Sequence, residues 1–225
     1  MNRPALLDVR HLARTFSVAG RPLPAVHDAS LIVHAGESVS IVGHSGSGKS
    51  TFLAMAGGIL RPGAGQVLLE GDDLWARGDD ARSRLRNARI SFVYQFASLM
   101  PTLTAEENVL LPTLFGGTAS LEDAERMLEL VGLSERLGHY PREMSGGEQQ
   151  RVAIARALVT RPRVILADEP TGDLDEQTES LVMDVLERHV REHHAALILV
   201  THSRELAGRA ARRCLMKHGL LEETA

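Results

Sequence analysis

A glycine- and serine-rich segment near the N-terminus restricts the possible folds of this chain. Residues 43–50 read Gly-His-Ser-Gly-Ser-Gly-Lys-Ser and fit the pattern G-x-x-x-x-G-K followed by Ser or Thr. The segment follows an apolar run at Ser38–Val42 and precedes a helix-like run at 49–57. This order is typical of a phosphate-binding loop, because glycines let backbone N–H groups and a helix N-terminus face anionic oxygens. A turn without a ligand is the alternative, and the flanking strand and helix favour the phosphate loop.

The side chains of this loop match the chemistry of a nucleotide site. Lys49 is long enough to reach the β- and γ-phosphates, and the Ser50 hydroxyl is a suitable ligand for Mg²⁺. We therefore expect a nucleotide to be bound by Gly43, His44, Ser45, Gly46, Ser47, Gly48, Lys49, Ser50 and Thr51.

A second candidate segment is the apolar run at 164–167, which ends in Asp168 and Glu169. In phosphate-loop folds such a strand lies beside the loop, so Asp168 would arrive near the metal ion. Glu169 would then face the γ-phosphate and could orient or deprotonate the attacking water. A strand end followed by an acidic turn is the alternative, and the nearby phosphate loop favours the catalytic interpretation.

Short apolar runs alternate with helical stretches along the chain, which indicates an α/β fold. Buried parallel strands are expected at Ser38–Val42, 90–94, 164–167 and 197–201. Half-exposed strands are expected at 3–9, 29–33 and 66–69.

The segment from about 96 to 160 predicts helices instead of strands. Capping-box patterns at 104–107 and 145–148 mark two helix starts, and apolar residues at helical spacing predict a helix over 120–131 with one buried stripe. We interpret 96–160 as a helical subdomain inserted between two strands of the main sheet.

Charge and composition exclude several classes of protein. The formal charge is −4, from 25 Lys and Arg against 29 Asp and Glu, so generic nucleic-acid binding is not expected. The longest apolar run, 195–200, is far shorter than the ~20 residues of a membrane-spanning helix. No secretory leader is visible, and the single Cys214 fits a reducing compartment. We expect a soluble, cytosolic chain.

Together, the phosphate loop and the acidic strand end resemble those of the nucleotide-binding subunit of ATP-binding-cassette (ABC) transporters. Residues 144–148, Met-Ser-Gly-Gly-Glu, are similar to the family's signature motif L-S-G-G-Q, with Met144 for Leu and Glu148 for Gln. The resemblance implies that Ser145, Gly146 and Gly147 meet the γ-phosphate held by the opposite subunit. Two chains would then sandwich two ATP molecules head to tail.

Further positions resemble the remaining ABC motifs in the family's order. Gln95 matches the Q-loop glutamine, which contacts Mg²⁺ and the attacking water, and 172–175 match the D-loop, which crosses the dimer interface through Asp175. His202 matches the switch histidine at the γ-phosphate. Phe16 stands where an aromatic side chain stacks on adenine, although a lone Phe near a strand is also typical of a core position.

The resemblance implies a P-loop NTPase of ABC type, with a mostly parallel core sheet, an antiparallel N-terminal part and the inserted helices. One ABC ATPase domain would span 1–225, with a core of about 1–95 and 161–225. ATP and Mg²⁺ are the implied cofactors. The implied catalytic residues are Glu169, His202 and Lys49, and the implied metal ligands are Ser50, Gln95 and Asp168.

Residues 92–112 and 168–175 are similar to the lipoprotein-releasing and macrolide-exporting group. The match departs from that group at Asp173, where Asn is usual, and at 148–149. The implied partners are a separate integral-membrane permease and a second ATPase subunit, which favours a homodimer at the cytoplasmic face of the inner membrane. The permease would dock near 96–101 and the helices after Thr104, and Leu99 and Met100 fit either a contact surface or the core. A cell-division-type regulatory ATPase is the alternative. An ABC ATPase acting on DNA or ribosomes is less favoured, because those usually carry coiled-coil or zinc insertions or a second cassette.

Three other features have simpler interpretations. His189 and His193 stand four residues apart, which fits a metal pair but is more typical of a helix end. The basic stretch at 77–89 has Asp residues close by, which favours a solvated face over a nucleic-acid site. Cys214 is expected to be a buried small residue.

Overall fold

The computed structural model describes residues 4–116, 118–172 and 174–224. The strands are β1 Ala5–Val18, β2 Arg21–His34, β3 Ser38–Val42, β4 Ala64–Leu69, β5 Asp72–Asp73, β6 Ile90–Val93, β7 Val164–Asp168, β8 Ala196–Val200, β9 Arg212–Lys217 and β10 Leu220–Thr224. The α-helices are α1 Lys49–Ala56, α2 Asp79–Arg89, α3 Ala105–Leu110, α4 Leu121–Leu130, α5 Gly146–Leu158, α6 Glu176–His193 and α7 Arg204–Arg209. Short 3₁₀ helices occupy Leu111–Phe115, Ser134–Arg136 and Pro141–Glu143.

The core sheet has the strand order β10-β9-β3-β8-β7-β6. Every neighbouring pair from β9 to β6 is parallel, and β10 is antiparallel to β9. The predicted mostly parallel sheet is confirmed, with strand ends shifted by one residue at 90–94, 164–167 and 197–201. Because the strands are parallel, β3, β6, β7 and β8 end at one edge, and the loops that follow them meet there.

The second sheet has the order β2-β1-β4-β5 and is antiparallel, as expected for the N-terminal part. Strands β1 and β2 are much longer than the predicted runs at 3–9 and 29–33, and Arg3 lies outside the described residues. The outer half of this hairpin is largely exposed and lacks the apolar alternation that marks a half-buried strand. A two-residue turn with positive φ at Ala19 and Gly20 joins the strands, a geometry that suits the twist of a hairpin.

Helices α3, α4 and α5 begin where the sequence predicts. The hydroxyls of Thr104, Ser120 and Ser145 accept the backbone N–H three residues later, and the acidic side chain at that position accepts the N–H of the capping residue. Ala124 and Leu128 form the buried stripe of α4. The sequence indicates the end of α6 near His193 but not its start, and it predicts neither the helices α2 and α7 nor the strands β5, β9 and β10. None of the described helices is long and apolar enough to span a membrane.

The core sheet is buried on both faces by two hydrophobic clusters. One cluster fills the space between the two sheets and around α1, and the other lies beneath α3, α4, α5 and α6. Strand β7 contributes to both, because Val164 and Leu166 face the first cluster whereas Ile165 and Ala167 face the second. The residues that follow β7 are therefore held by the most enclosed part of the sheet.

Candidate active site

A cavity of about 430 Å³ opens at the edge where the parallel strands end. The loop after β3 forms one wall, and the residues after β6, β7 and β8 form the others. The lining residues are Ala25, Gly43, Ser45, Gly46, Gly48, Lys49, Ser50, Thr51, Gln95, Asp168, Glu169 and His202. The structure thus gathers most of the predicted site residues from four distant parts of the sequence.

Backbone packing explains why glycine occupies both ends of the phosphate-loop pattern. Gly48 has φ +105°, and a Cβ there would collide with the carbonyl oxygen of Ala25 on β2. A Cβ at Gly43 would collide with the carbonyl oxygen of Met216 on β9. The loop is therefore pressed against two neighbouring strands, and any side chain at either position would displace it.

The Lys49 ammonium is held across the mouth of the loop. Its Nζ donates to the carbonyl oxygens of Gly43 and His44 at 2.8 and 3.0 Å. His44 is exposed, whereas Ser47 is buried beneath the loop, and its Oγ lacks a partner among the described residues. The loop thus carries a positive charge at its centre.

Asp168 lies beside the start of α1. The side chain of Ser50, in the first turn of α1, is close enough to this carboxylate to lower its pKa. Burial is the main cause that raises the pKa of Asp168, and the neighbouring carboxylate of Glu169 adds to the rise, whereas Ser50 and Lys49 oppose it. A divalent cation would relieve both unfavourable effects, and the hydroxyl, carboxylate and amide oxygens of Ser50, Asp168 and Gln95 are the hard donors that Mg²⁺ takes. The residues present therefore fit this ion.

Glu169 is held by His202, which lies two residues after the end of β8. Its Oε2 accepts from the ring Nδ1 of His202 at 2.9 Å and from the backbone N–H of His202 at 3.3 Å. The Glu169 side chain is 16% exposed and that of His202 is 74% exposed. Glu169 also has φ +49°, in the left-handed region that a non-glycine residue adopts only when its surroundings impose it.

The signature segment lies away from this cavity, at the N-terminus of α5. Ser145, Gly146 and Gly147 do not line the cavity, and neither does Asp175, which caps α6 by accepting the N–H of Thr178 at 3.0 Å. Gly146 has open space around it. Asp173 lies outside the described residues.

Glu148 is one of the two departures from the usual signature motif, and both of its carboxylate oxygens accept hydrogen bonds. Its Oε1 accepts from Arg136 Nε at 2.9 Å, and its Oε2 accepts from the N–H and hydroxyl of Ser145 at 2.8 and 2.9 Å. The Arg136 hydrogen bond is the largest of the causes that lower the pKa of Glu148 to about 2.

Phe16 does not line the cavity. It lies in the outer half of β1, half-buried, with the Arg14 guanidinium 5.1 Å from the centre of its ring. Stacking on adenine stays a prediction for this side chain.

Sequence reasoning missed Gln150, which is buried in α5 behind the cavity. Its Nε2 donates to the backbone oxygens of Tyr94 and Pro170. The available signal was a polar residue at the start of a strongly apolar helical run, 152–159, where a buried amide must have partners.

The histidine pair, the basic stretch at 77–89 and Cys214 have surroundings that fit a structural role. His189 is buried, donates to the Pro162 carbonyl at 3.2 Å and has its pKa lowered to about 4 by burial, and the described residues contain no cluster of three His, Cys, Asp or Glu suited to a metal. The basic stretch pairs with carboxylates, as in Arg77–Asp72 and Arg82–Asp79. Cys214 is buried as predicted, and burial raises its pKa to about 11.

The chain matches known proteins over most of its length. The family model described as "ABC transporter" matches residues 26–172. The chain is 42% identical over 224 residues to the lipoprotein-releasing system ATP-binding protein LolD of Shewanella frigidimarina, covering 98% of this chain and 94% of the relative. It is 44% identical over 223 residues to the uncharacterized ABC transporter ATP-binding protein YbbA of Escherichia coli K12, covering 98% of each.

Solved structures agree with the sequence matches. The dimeric post-hydrolysis structure of the ATP-binding cassette MJ0796 with ADP and Pi has a TM-score of 0.91 and 35% identity and covers 97% of both chains. A second dimeric MJ0796 structure, a bacterial ABC transporter cassette, has a TM-score of 0.88 and 37% identity, with 96% coverage of both chains. The predicted resemblance and fold are confirmed: the chain belongs to the ABC transporter family and is one of its ATP-hydrolysing cassettes.

Proposed function

We propose that this chain powers an ABC system that exports a substrate or extracts lipoproteins from the membrane. Two copies would close head to tail on ATP and drive a separate permease. The observation that carries the proposal is the separation of the signature segment from the cavity of its own chain. A helix N-terminus with free N–H groups that does not face its own cavity is available to the nucleotide of a second copy.

The phosphate loop would bind the β- and γ-phosphates of ATP. Lys49 would exchange its two loop carbonyls for phosphate oxygens, which are stronger acceptors because they are charged. Ser50, Asp168 and Gln95 would hold Mg²⁺, which, when bound, neutralises the charge that develops on the phosphates. Thr51 and the loop N–H groups would complete the cradle.

Glu169 would act as the general base on the attacking water. Its carboxylate already accepts from two N–H groups of His202, which fixes its orientation toward the cavity. The proton of the water would move to Glu169, and the largely exposed His202 would contact the γ-phosphate. The carboxylate that would take the proton is thereby held by His202, and the exposed ring of His202 is free to turn toward the nucleotide.

The helical segment would transmit this chemistry to the permease. We propose one ABC ATPase domain, with a core of about 1–95 and 161–225 and a helical subdomain of about 96–160.

Exposed apolar side chains lie on and near the predicted docking segment. They are Phe96, which is 70% exposed, together with Met100, Leu114 and Phe115, whereas Leu99 packs partly against the core. These side chains support a permease contact, and the LolD relatives favour a lipoprotein-releasing partner at the cytoplasmic face of the inner membrane.

Co-purification from detergent-solubilised native membranes tests this function. We expect a permease with about four spans and a large extracytoplasmic domain to accompany the chain. A permease with many spans would contradict the exporter assignment and leave the ATP site intact. Recovery without any membrane protein, or with a partner that moves no substrate, would contradict the transport function.

A further inference from the structure

The buried amide of Gln150 joins two loops of the active site. Gln150 lies on α5, shortly after the signature segment, and is 5% exposed. Its Nε2 donates to the Tyr94 carbonyl at 2.7 Å and to the Pro170 carbonyl at 3.0 Å. Tyr94 precedes Gln95 and Pro170 follows Glu169. Both amide protons therefore form hydrogen bonds to backbone oxygens that neighbour two proposed site residues.

The same helix contacts the loop after β6 a second time. Arg156 donates from Nη1 to the Ser98 carbonyl at 3.1 Å and from Nη2 to the Ala97 carbonyl at 2.7 Å. Burial lowers the pKa of Arg156. Helix α5 thus holds the segment around Gln95 at three carbonyl oxygens, and among its side-chain hydrogen bonds to the described residues Gln150 alone also reaches the segment after Glu169.

We propose that Gln150 is a positioning residue that fixes the spacing between Gln95 and Glu169 and ties both to the signature helix. Two carbonyl oxygens in a buried space repel one another unless a donor stands between them, and a primary amide supplies two donors from one nitrogen. A shift of α5 on meeting the nucleotide of the second copy would therefore move both loops together. This inference rests on the proposed roles of Gln95 and Glu169.

Gln149 provides a matched control. Its Nε2 also donates to two backbone oxygens, those of Pro141 at 2.9 Å and Met144 at 3.1 Å. Both acceptors lie immediately before α5, and Met144 is the first residue of the signature segment. The capping box of Ser145 and Glu148 also holds this helix start, so Gln149 supports it from a second side and does not contact the loops after β6 and β7. The two neighbouring glutamines differ mainly in what their amides hold.

The first experiment compares Gln150→Met with Gln149→Met in the full chain, by ATP hydrolysis, ATP binding and thermal melting. Methionine keeps the length of the side chain and removes both donors. We expect Gln150→Met to lower kcat about tenfold or more, since small displacements of catalytic groups cost this much, and to change the Kd for ATP by less than about twofold. Gln149→Met should keep kcat within about twofold at a similar Tm. Equal kcat values in the two variants would overturn the proposal.

The second experiment uses Gln150→Glu, a variant in which pH controls whether the side chain can donate a hydrogen bond. An ionised carboxylate facing two carbonyls donates nothing, whereas a protonated one regains one donor, and the burial would raise the pKa of this carboxyl. The ratio of its kcat to that of the wild type should therefore rise as the pH falls from about 8.5 to about 6. The melting temperature of Gln150→Glu is measured at both pH values, because protonation of a buried carboxylate also stabilises the fold. A flat ratio of kcat values, or a rise that only follows the folded fraction, would overturn the proposal.

Glu169→Gln separates this inference from the proposed function. An inactive Glu169→Gln with a normal Gln150→Met would overturn the role of Gln150 alone. A fully active Glu169→Gln would overturn the proposed base, and Gln150 would lose the partner that it is said to position. Loss of turnover in both variants, with Gln149→Met active, is the expected result.

Discussion

The ring Nδ1 of His202 lies 2.9 Å from Oε2 of Glu169, although the two residues follow different strands. The contact forms because β7 and β8 are parallel neighbours in register, with Asp168 opposite Val200. Each strand end delivers one polar side chain to the same edge. The acidic residue that would accept the proton is therefore positioned by sheet topology and not by its own loop.

Replacing Glu169 with Gln should abolish hydrolysis and preserve ATP binding. The amide keeps the size of the side chain but cannot accept a proton from water, so ATP-bound chains should accumulate as a stable dimer. Phosphate release and size-exclusion chromatography with ATP would measure both effects. Glu205→Gln, an exposed change of the same charge on α7, is the control and should hydrolyse ATP normally. Unchanged turnover in Glu169→Gln would remove this residue from the base role.

Replacing Lys49 with Ala should weaken the binding of ATP itself. The ammonium at the centre of the loop would be missing, and a charge-assisted contact to phosphate would be lost, which corresponds to about 2 kcal/mol or roughly thirtyfold in Kd. Titration with a fluorescent ATP analogue would measure the change. Lys217→Ala removes an exposed lysine on β9 and should bind ATP as the wild type does. A normal affinity in Lys49→Ala would contradict the assignment of the loop.

Replacing Gly48 with Ala should destabilise the chain and impair nucleotide binding together. The new Cβ would collide with the Ala25 carbonyl, and φ +105° disfavours any side chain, so a loss of about 2 kcal/mol or more is expected. Chemical denaturation with and without ATP would separate the two effects. Gly138→Ala, where nothing lies within 4 Å of the new Cβ and φ is not positive, should stay within about 0.5 kcal/mol of the wild type. Similar losses in both variants would show that the strand contact is unimportant.

The Glu148 pair predicts a loss of stability in acid. Because the folded-state pKa of Glu148 is about 2, below its ordinary value, the stabilisation is complete above about pH 5 and is lost as the pH falls toward 2. Arg136 is partly exposed, so the contribution is expected to be on the order of 1–2 kcal/mol. Denaturant unfolding between these pH values should show a smaller decrease for Glu148→Gln, which cannot titrate. Parallel curves for the two proteins would contradict the contribution of this pair.

The phosphate loop, the four core strands and the helices α3, α4 and α5 were predictable because each is encoded by neighbouring residues. Glycine spacing, apolar runs and capping boxes act within one or two turns of the chain. Gln95 and His202 were predicted from the order of the family's motifs, because no pattern in the neighbouring residues marks either of them.

Other features depend on residues that are distant in sequence. The outer half of the β1–β2 hairpin has no apolar alternation that would mark it as strand. It is strand because β1 and β2 pair with one another as far as Val18 and Arg21, beyond the predicted strand ends. The bridge from Gln150 to Tyr94 and Pro170 joins residues 56 and 20 positions away, so no local pattern could reveal it. The position of Phe16 outside the cavity wall likewise follows from the course of that hairpin.

Strand β7 hydrogen-bonds to a strand on each side and is covered on both faces. Its amide protons can reach solvent only through an opening that breaks the whole core, so they should exchange at the rate of global unfolding. The exposed outer hairpin can fray without disturbing this strand. Asp168, the last residue of β7, therefore keeps its place when the hairpin alone opens.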